Sequence, residues 1–129
     1  LEAAASASSS DAAESGLELT LEVVRAAGRG DEAALAAWLD DGGQVDATWV
    51  TPDGAVRGIT LLLFASNGGH ERLVEMLLQR GATVDLQDSF GYSALMDAAV
   101  KGHTTIVRRL LRAVRRKHLQ LRRRAAHAA

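Results

Sequence analysis

The groups in this chain that could do chemistry are four histidines, the adjacent carboxylates Asp40-Asp41 and a block of arginines. His70 and His103 each follow a glycine and stand 33 residues apart, while His118 and His127 lie near the C-terminal end. A metal site needs three or four imidazole, thiolate or carboxylate ligands that converge on one point. The chain has no His-x-x-x-His pair, no carboxylate cluster at ligand spacing and no cysteine, so neither a metal nor a cofactor is expected. The lack of cysteine also removes thiolate nucleophiles and disulfides. No Ser-His-Asp, phosphate-loop or dinucleotide motif is present, and no catalytic residue is assigned. Asp40-Asp41 precedes Gly42 at an expected helix end, where a solvated and mildly unfavourable position explains the pair better than acid-base work does. Catalysis is the poorest reading, and no small-molecule substrate is expected.

The arginines are concentrated. Residues 101–129 hold 10 basic residues and no acidic one, whereas residues 1–100 hold all 16 acidic residues and 5 basic ones. The near-neutral total of -1 conceals this division. It implies either a basic tail for an acidic partner or an internal pairing between body and tail.

The elements that must position these groups repeat along the chain. GITLLLFASNGGHERLVEMLL, from Gly58, aligns with GYSALMDAAVKGHTTIVRRLL, from Gly91, at an offset of 33. A third copy, LEVVRAAGRGDEAALAAWLDDGGQVD, aligns upstream at an offset of 39 and shares Ala26, Gly30, Leu39, Gly42, Val45 and Asp46. Thr60 and Ser93 stand where a helix N-cap is needed, ahead of an apolar run. Gly69 and Gly102 fall where a first short helix should end in the left-handed region. A second helix then carries Val74, Leu77 and Leu78, or Val107, Leu110 and Leu111, at helical spacing. Each unit is too small to bury its own apolar face, so the units must stack.

This pattern resembles the ankyrin-repeat family, whose motif runs roughly G-x-T-P-L-H-x-A-A-x-x-G-H-x-x-[IV]-V-x-x-L-L-x-x-G-A-x-[VI]-[ND]. The best stretch is GGHERLVEMLLQRGATVD, from Gly68 to Asp85. The resemblance implies an all-α solenoid of about three helix-turn-helix units with short hairpin loops, and a protein that binds other proteins. The motif's Pro and His are replaced by Leu61 and Leu63 in one copy and by Ala94 and Met96 in the other. The first copy is read as lacking the capping Thr and having Asp31 where the others have His, which suits a terminal unit. By the resemblance, Gln87, Ser89, Phe90 and Tyr92 lie on a projecting finger. Asn67, Val100 and Lys101 lie at the ends of inner helices. All belong to an expected partner-binding surface.

Two regions depart from the repeat. Between Asp46 and Thr60 the chain is six residues longer than between Asp85 and Ser93. The extra residues contain the turn signal Pro52-Asp53-Gly54. Thr48-Trp49-Val50 and Ala55-Val56-Arg57 are expected to pair around it as a hairpin. Trp49 and Arg57 then join the candidate partner surface; Trp49 could equally fold back as local core. After Leu111 the expected Gly-Ala turn is missing and the chain reads RAVRRKHLQLRRRAAHAA. Nothing there breaks a helix. Val107, Leu110, Leu111, Val114, His118 and Leu121 predict one long amphipathic helix from about Thr104 to Arg124. Arg112, Arg115, Arg116 and Lys117, then Arg122, Arg123 and Arg124, are candidates for an anionic partner, whether a calmodulin-like protein, a membrane or a nucleic acid. The helix can also simply cap the stack with its arginines solvated. RNA recognition usually interleaves aromatics for base stacking, and this tail has none.

The expected organisation is a flexible low-complexity lead-in over 1–16 and repeats over 17–111, in units 17–47, 58–86 and 91–111. The inserted loop covers 47–58 and a basic helical extension 112–129. The longest apolar run, Leu61 to Ala65, is far too short to cross a bilayer. The cysteine-free composition suits an intracellular protein. A start at Leu1 suggests a processed product or a fragment.

Overall fold

The computed structural model describes residues 19–128. Three helix-turn-helix units follow one another. The first pairs α1 (Leu21–Arg29) with α2 (Glu32–Asp40). A hairpin of β1 (Thr48–Trp49) and β2 (Ile59–Thr60) leads to α3 (Leu61–Gly68) and α4 (Glu71–Gln79). The third unit pairs α5 (Ala94–Lys101) with α6 (Thr104–Ala128). The first helices α1, α3 and α5 stack in a row, and the second helices α2, α4 and α6 form a row outside them.

Local chemistry sets the helix ends. The hydroxyls of Thr60 and Ser93 accept from the N–H groups of Leu63 and Met96 at 3.2 and 3.4 Å, satisfying donors that a helix start leaves unpaired. Gly30, Gly69 and Gly102 end the first helices at φ 76°, 76° and 77°. Their N–H groups turn back onto the last helical carbonyls. The first unit corrects the sequence reading: it has a threonine cap, Thr20, whose hydroxyl accepts from Val23 N–H at 3.4 Å. Helix α1 has nine residues where α3 has eight, so a constant offset slides past Thr20 by one position.

Leu77 and Leu110, which the stacking model requires in one interior, are both fully buried in a single apolar cluster. Leu35, Leu61, Leu62 and Leu73 share it. Removing such a side chain from water contributes about 2 kcal/mol each. The histidines link the units instead of binding a ligand. His70 Nε2 lies 2.7 Å from the Gly28 carbonyl, and His103 Nε2 lies 3.2 Å from that of Asn67. A carbonyl can only accept, so Nε2 carries the proton. Each ring also covers the glycine ending the preceding unit's first helix. A β-carbon on Gly30 would sit 2.5 Å from the His70 ring, and one on Gly69 2.7 Å from the His103 ring. Those glycines are required both by their positive φ and by this close approach.

The outer row is laced by ions and hydrogen bonds. Asp46 accepts from the N–H and the hydroxyl of Thr83 at 2.8 and 2.6 Å, tying the turn after α2 to the turn after α4. Arg80 pairs with Asp40 at 2.7 Å, Arg109 pairs with Glu75, and Lys117 holds Asp85 at 2.9 Å. Asp40, read as a solvated charge, thus has a partner in the next unit.

Helix α6 continues without a break to Ala128. Its packing face differs from the stripe read in the sequence. Ile106 and Leu110 are buried, and Ala113 and Val114 pack beside them. Val107 is only half-buried, while Leu111, His118 and Leu121 are exposed. The helix is therefore turned toward the stack on Ile106, which the sequence reading left out. Residues 115–126 are exposed on every face.

Candidate functional site

The inserted hairpin is closed by its turn as the residues suggest. Thr51 N–H donates to Val56 O at 3.0 Å, and Gly54 N–H donates to Thr51 O at 2.8 Å. Asp53 accepts from the Thr51 hydroxyl and the Ala55 N–H at 2.7 and 3.0 Å. These bonds hold its carboxyl below the usual range, the hydroxyl contributing most.

The strands pair in a different register from the one expected. Trp49 lies opposite Ile59 and Thr48 opposite Thr60, so Ala55–Arg57 forms no ladder with Thr48–Val50. The reason lies in the neighbouring finger. Arg57 N–H donates to Ser89 Oγ at 2.9 Å, and Ser89 N–H donates to Arg57 O at 2.8 Å. With both main-chain groups of Arg57 engaged outward, the ladder forms beyond it. Pairing Trp49 with Ile59 also seats the indole, half-buried, against the core. Trp49 is thus shared between core and surface.

The second finger, residues 86–93, is built around Asp88. Its carboxylate accepts from the N–H groups of Phe90 and Tyr92 at 2.9 and 3.1 Å. Asp88 N–H donates to Tyr92 O at 3.0 Å, and Gly91 N–H donates to Asp88 O at 2.9 Å. A bridge between Gln87 and Ser93 closes the base. The tip therefore presents Phe90, 64% exposed, together with Tyr92, on a backbone whose N–H groups from Asp88 to Tyr92 are all engaged. Sequence reasoning missed Asp88, although an Asp two residues before an aromatic and three before a glycine is a recognisable turn signal.

At the ends of the first helices, Asn67, Val100 and Lys101 are exposed, Val100 by 76%. Asp97 on α5 also went unnoticed. Burial raises its carboxyl above the usual range, Asp88 adds like-charge repulsion, and Lys101 works against both. The structure joins Arg57 to Ser89 directly and gathers Gln87, Phe90 and Tyr92 on one finger. Asn67 belongs to the preceding unit, where its carbonyl faces His103.

On α6, Arg112, Arg115, Arg116, Arg122, Arg123 and Arg124 are exposed and form no ion pair among the described residues. Lys117, the remaining candidate of this set, pairs with Asp85 while its side chain stays 44% exposed. The Lys117 ammonium, first by hydrogen bonding, holds the Asp85 carboxyl below its usual range. Of the two expected uses of the tail's charge, the structure shows internal pairing for Arg109 and Lys117, and the other tail arginines are solvated. Among the described residues no group of three ligand-type side chains could hold a metal ion. No described helix is long and apolar enough to cross a membrane.

Comparison with known proteins bears on the same residues. The family described as ankyrin repeats in three copies matches residues 23–120. An ankyrin repeat-containing protein of Treponema pallidum (strain Nichols) is 45% identical over 58 residues, which are 44% of this chain and 20% of that protein. The human transient receptor potential cation channel subfamily A member 1 is 33% identical over 67 residues, 52% of this chain and 6% of the channel subunit. The chain thus aligns with only a small part of each.

Proposed function

From the premise that this chain belongs to the ankyrin-repeat family, whose members are generally protein-interaction modules, we propose that it is a non-catalytic binding module that serves as a scaffold or as a subunit of a larger assembly. Its partner surface comprises the finger and inner-helix ends, with Phe90 and Tyr92 as anchors. Gln87, Arg57, Val100 and Lys101 surround them, and Trp49 contributes its exposed edge.

The observation that supports this reading is the second finger. Aromatic side chains are enriched among the residues that anchor protein interfaces. Here they stand on a loop already ordered by Asp88 and by the Arg57–Ser89 bonds. Pre-ordering lowers the entropy lost on association, and aromatic rings supply much contact area for few rotatable bonds. Ser89 serves this surface by bracing it.

The test is quantitative cross-linked capture with the intact protein and with a Phe90→Ala/Tyr92→Ala variant. The variant should lose most captured partner while its melting temperature stays within a few degrees. Capture at the intact level would remove this surface from consideration.

A further inference from the structure

We propose that the groove between α4 and α6 docks an acidic peptide in extended conformation, whose carboxylates pair with Arg108, Arg112 and Arg116. This site stands apart from the finger surface and does not depend on that reading. The groove has a volume of about 710 Å³ and is lined by the outer helices and the turn after α4, with no residue from either finger or any first helix.

Its two walls differ in chemistry. Along α6 the arginines stand four residues apart, so their guanidinium stems recur about every 6 Å along the axis. All three are exposed, and none forms an ion pair among the described residues. Arg109 and Lys117, which also line the groove, are already held by Glu75 and Asp85. The charge left unbalanced is therefore one row along one wall. The other wall offers a short apolar strip, the half-buried Leu78 and Ala82, beside Gln79, Thr83 and the paired Glu75.

An extended strand fits both walls at once. Alternate side chains point to opposite sides and recur about every 6.7 Å. Acidic residues at every second position would meet the arginine row with a mismatch of about 0.7 Å per step, which a flexible arginine absorbs. The intervening apolar side chains would then lie on Leu78 and Ala82. A helix addresses a surface with one stripe and would not separate the two chemistries in this way. A single-stranded nucleic acid would offer phosphates, but no aromatic side chain lines the groove to stack a base. Guanidinium forks suit carboxylates, and the apolar strip favours a peptide.

The experiment measures fluorescence anisotropy of the full chain at fixed moderate salt. The probes are a labelled peptide alternating glutamate with valine, a peptide of the same composition with its glutamates contiguous, and an oligothymidylate. The alternating peptide should bind about fivefold or more tightly than the contiguous one. Arg108→Gln/Arg112→Gln/Arg116→Gln should weaken it by about tenfold or more. Arg122→Gln/Arg123→Gln/Arg124→Gln removes equal charge outside the groove and should change it by less than about twofold. Circular dichroism would establish that both variants keep their helix. Equal binding of the two peptides, equal loss in the two triple variants, or tighter binding of oligothymidylate would each overturn the proposal.

Discussion

The middle and last units are built from the same motif, yet the same positions meet different surroundings. Leu63 is 2% exposed and its counterpart Met96 is 45% exposed. Ser66 and Val74 are buried, while Ala99 is exposed and Val107 half-buried. Each unit covers one face of the one before it, and the last unit's outer face is uncovered by any described residue. In a stack of this kind, burial is a property of having a neighbour on both sides, because nearest-unit interfaces supply much of the stability.

That comparison is broken most directly at the paired leucine and methionine positions. Leu63→Ala should cost about 2–5 kcal/mol, and Met96→Ala within about 0.5 kcal/mol, in urea unfolding. Similar losses would mean that the last unit is covered in solution. The capping glycines sharpen the contrast. Gly69→Ala meets both a strained φ and the His103 ring, whereas a β-carbon on Gly102 meets nothing within 4 Å. The first should cost about 2–3 kcal/mol and the second about 1 kcal/mol. A His103→Ala background should bring the two together.

The acidic ends of the units form a third pair. Asp46 is tied to Thr83, while among the described residues Asp85 has only Lys117, because the long helix has replaced the turn that would supply its threonine. Asp46→Ala should cost about 1–3 kcal/mol. Lys117→Met should cost about 0.2–1 kcal/mol, since both partners of that pair are largely solvated. The Asp85 carboxyl is depressed, so its contribution is full above the ordinary carboxylate range and fades as pH falls through the lowered value. Melting curves of the Lys117→Met variant and the parent should therefore converge in strong acid. The last effect has the opposite sign. Ser66 Oγ is buried with no hydrogen-bond partner among the described residues, so Ser66→Ala, which copies Ala99, should raise stability by up to about 1 kcal/mol.

Much of the fold was legible in the residues. Thr60, Ser93, Gly69 and Gly102 each act within one helical turn, so their types announce their roles. The candidate surface was less legible. Phe90 and Tyr92 stand where the repeat pattern implies, but their bracing by Asp88 and by the Arg57–Ser89 exchange joins residues 32 apart. The lead-in assigned to residues 1–16 lies outside the described residues.

The sequence by itself determined where helices start and stop and which spacing makes three units stack, because caps, glycine turns and helical periodicity are short-range and recur with each copy. Only the tertiary structure decided the rest. It decided that Trp49 pairs with Ile59, that Ile106 and not Leu111 faces the stack, and that Lys117 pairs with Asp85 while Arg112 forms no ion pair among the described residues. Each outcome depends on a neighbour about one repeat or more away. No local pattern encodes that neighbour's position until the units have closed on one another.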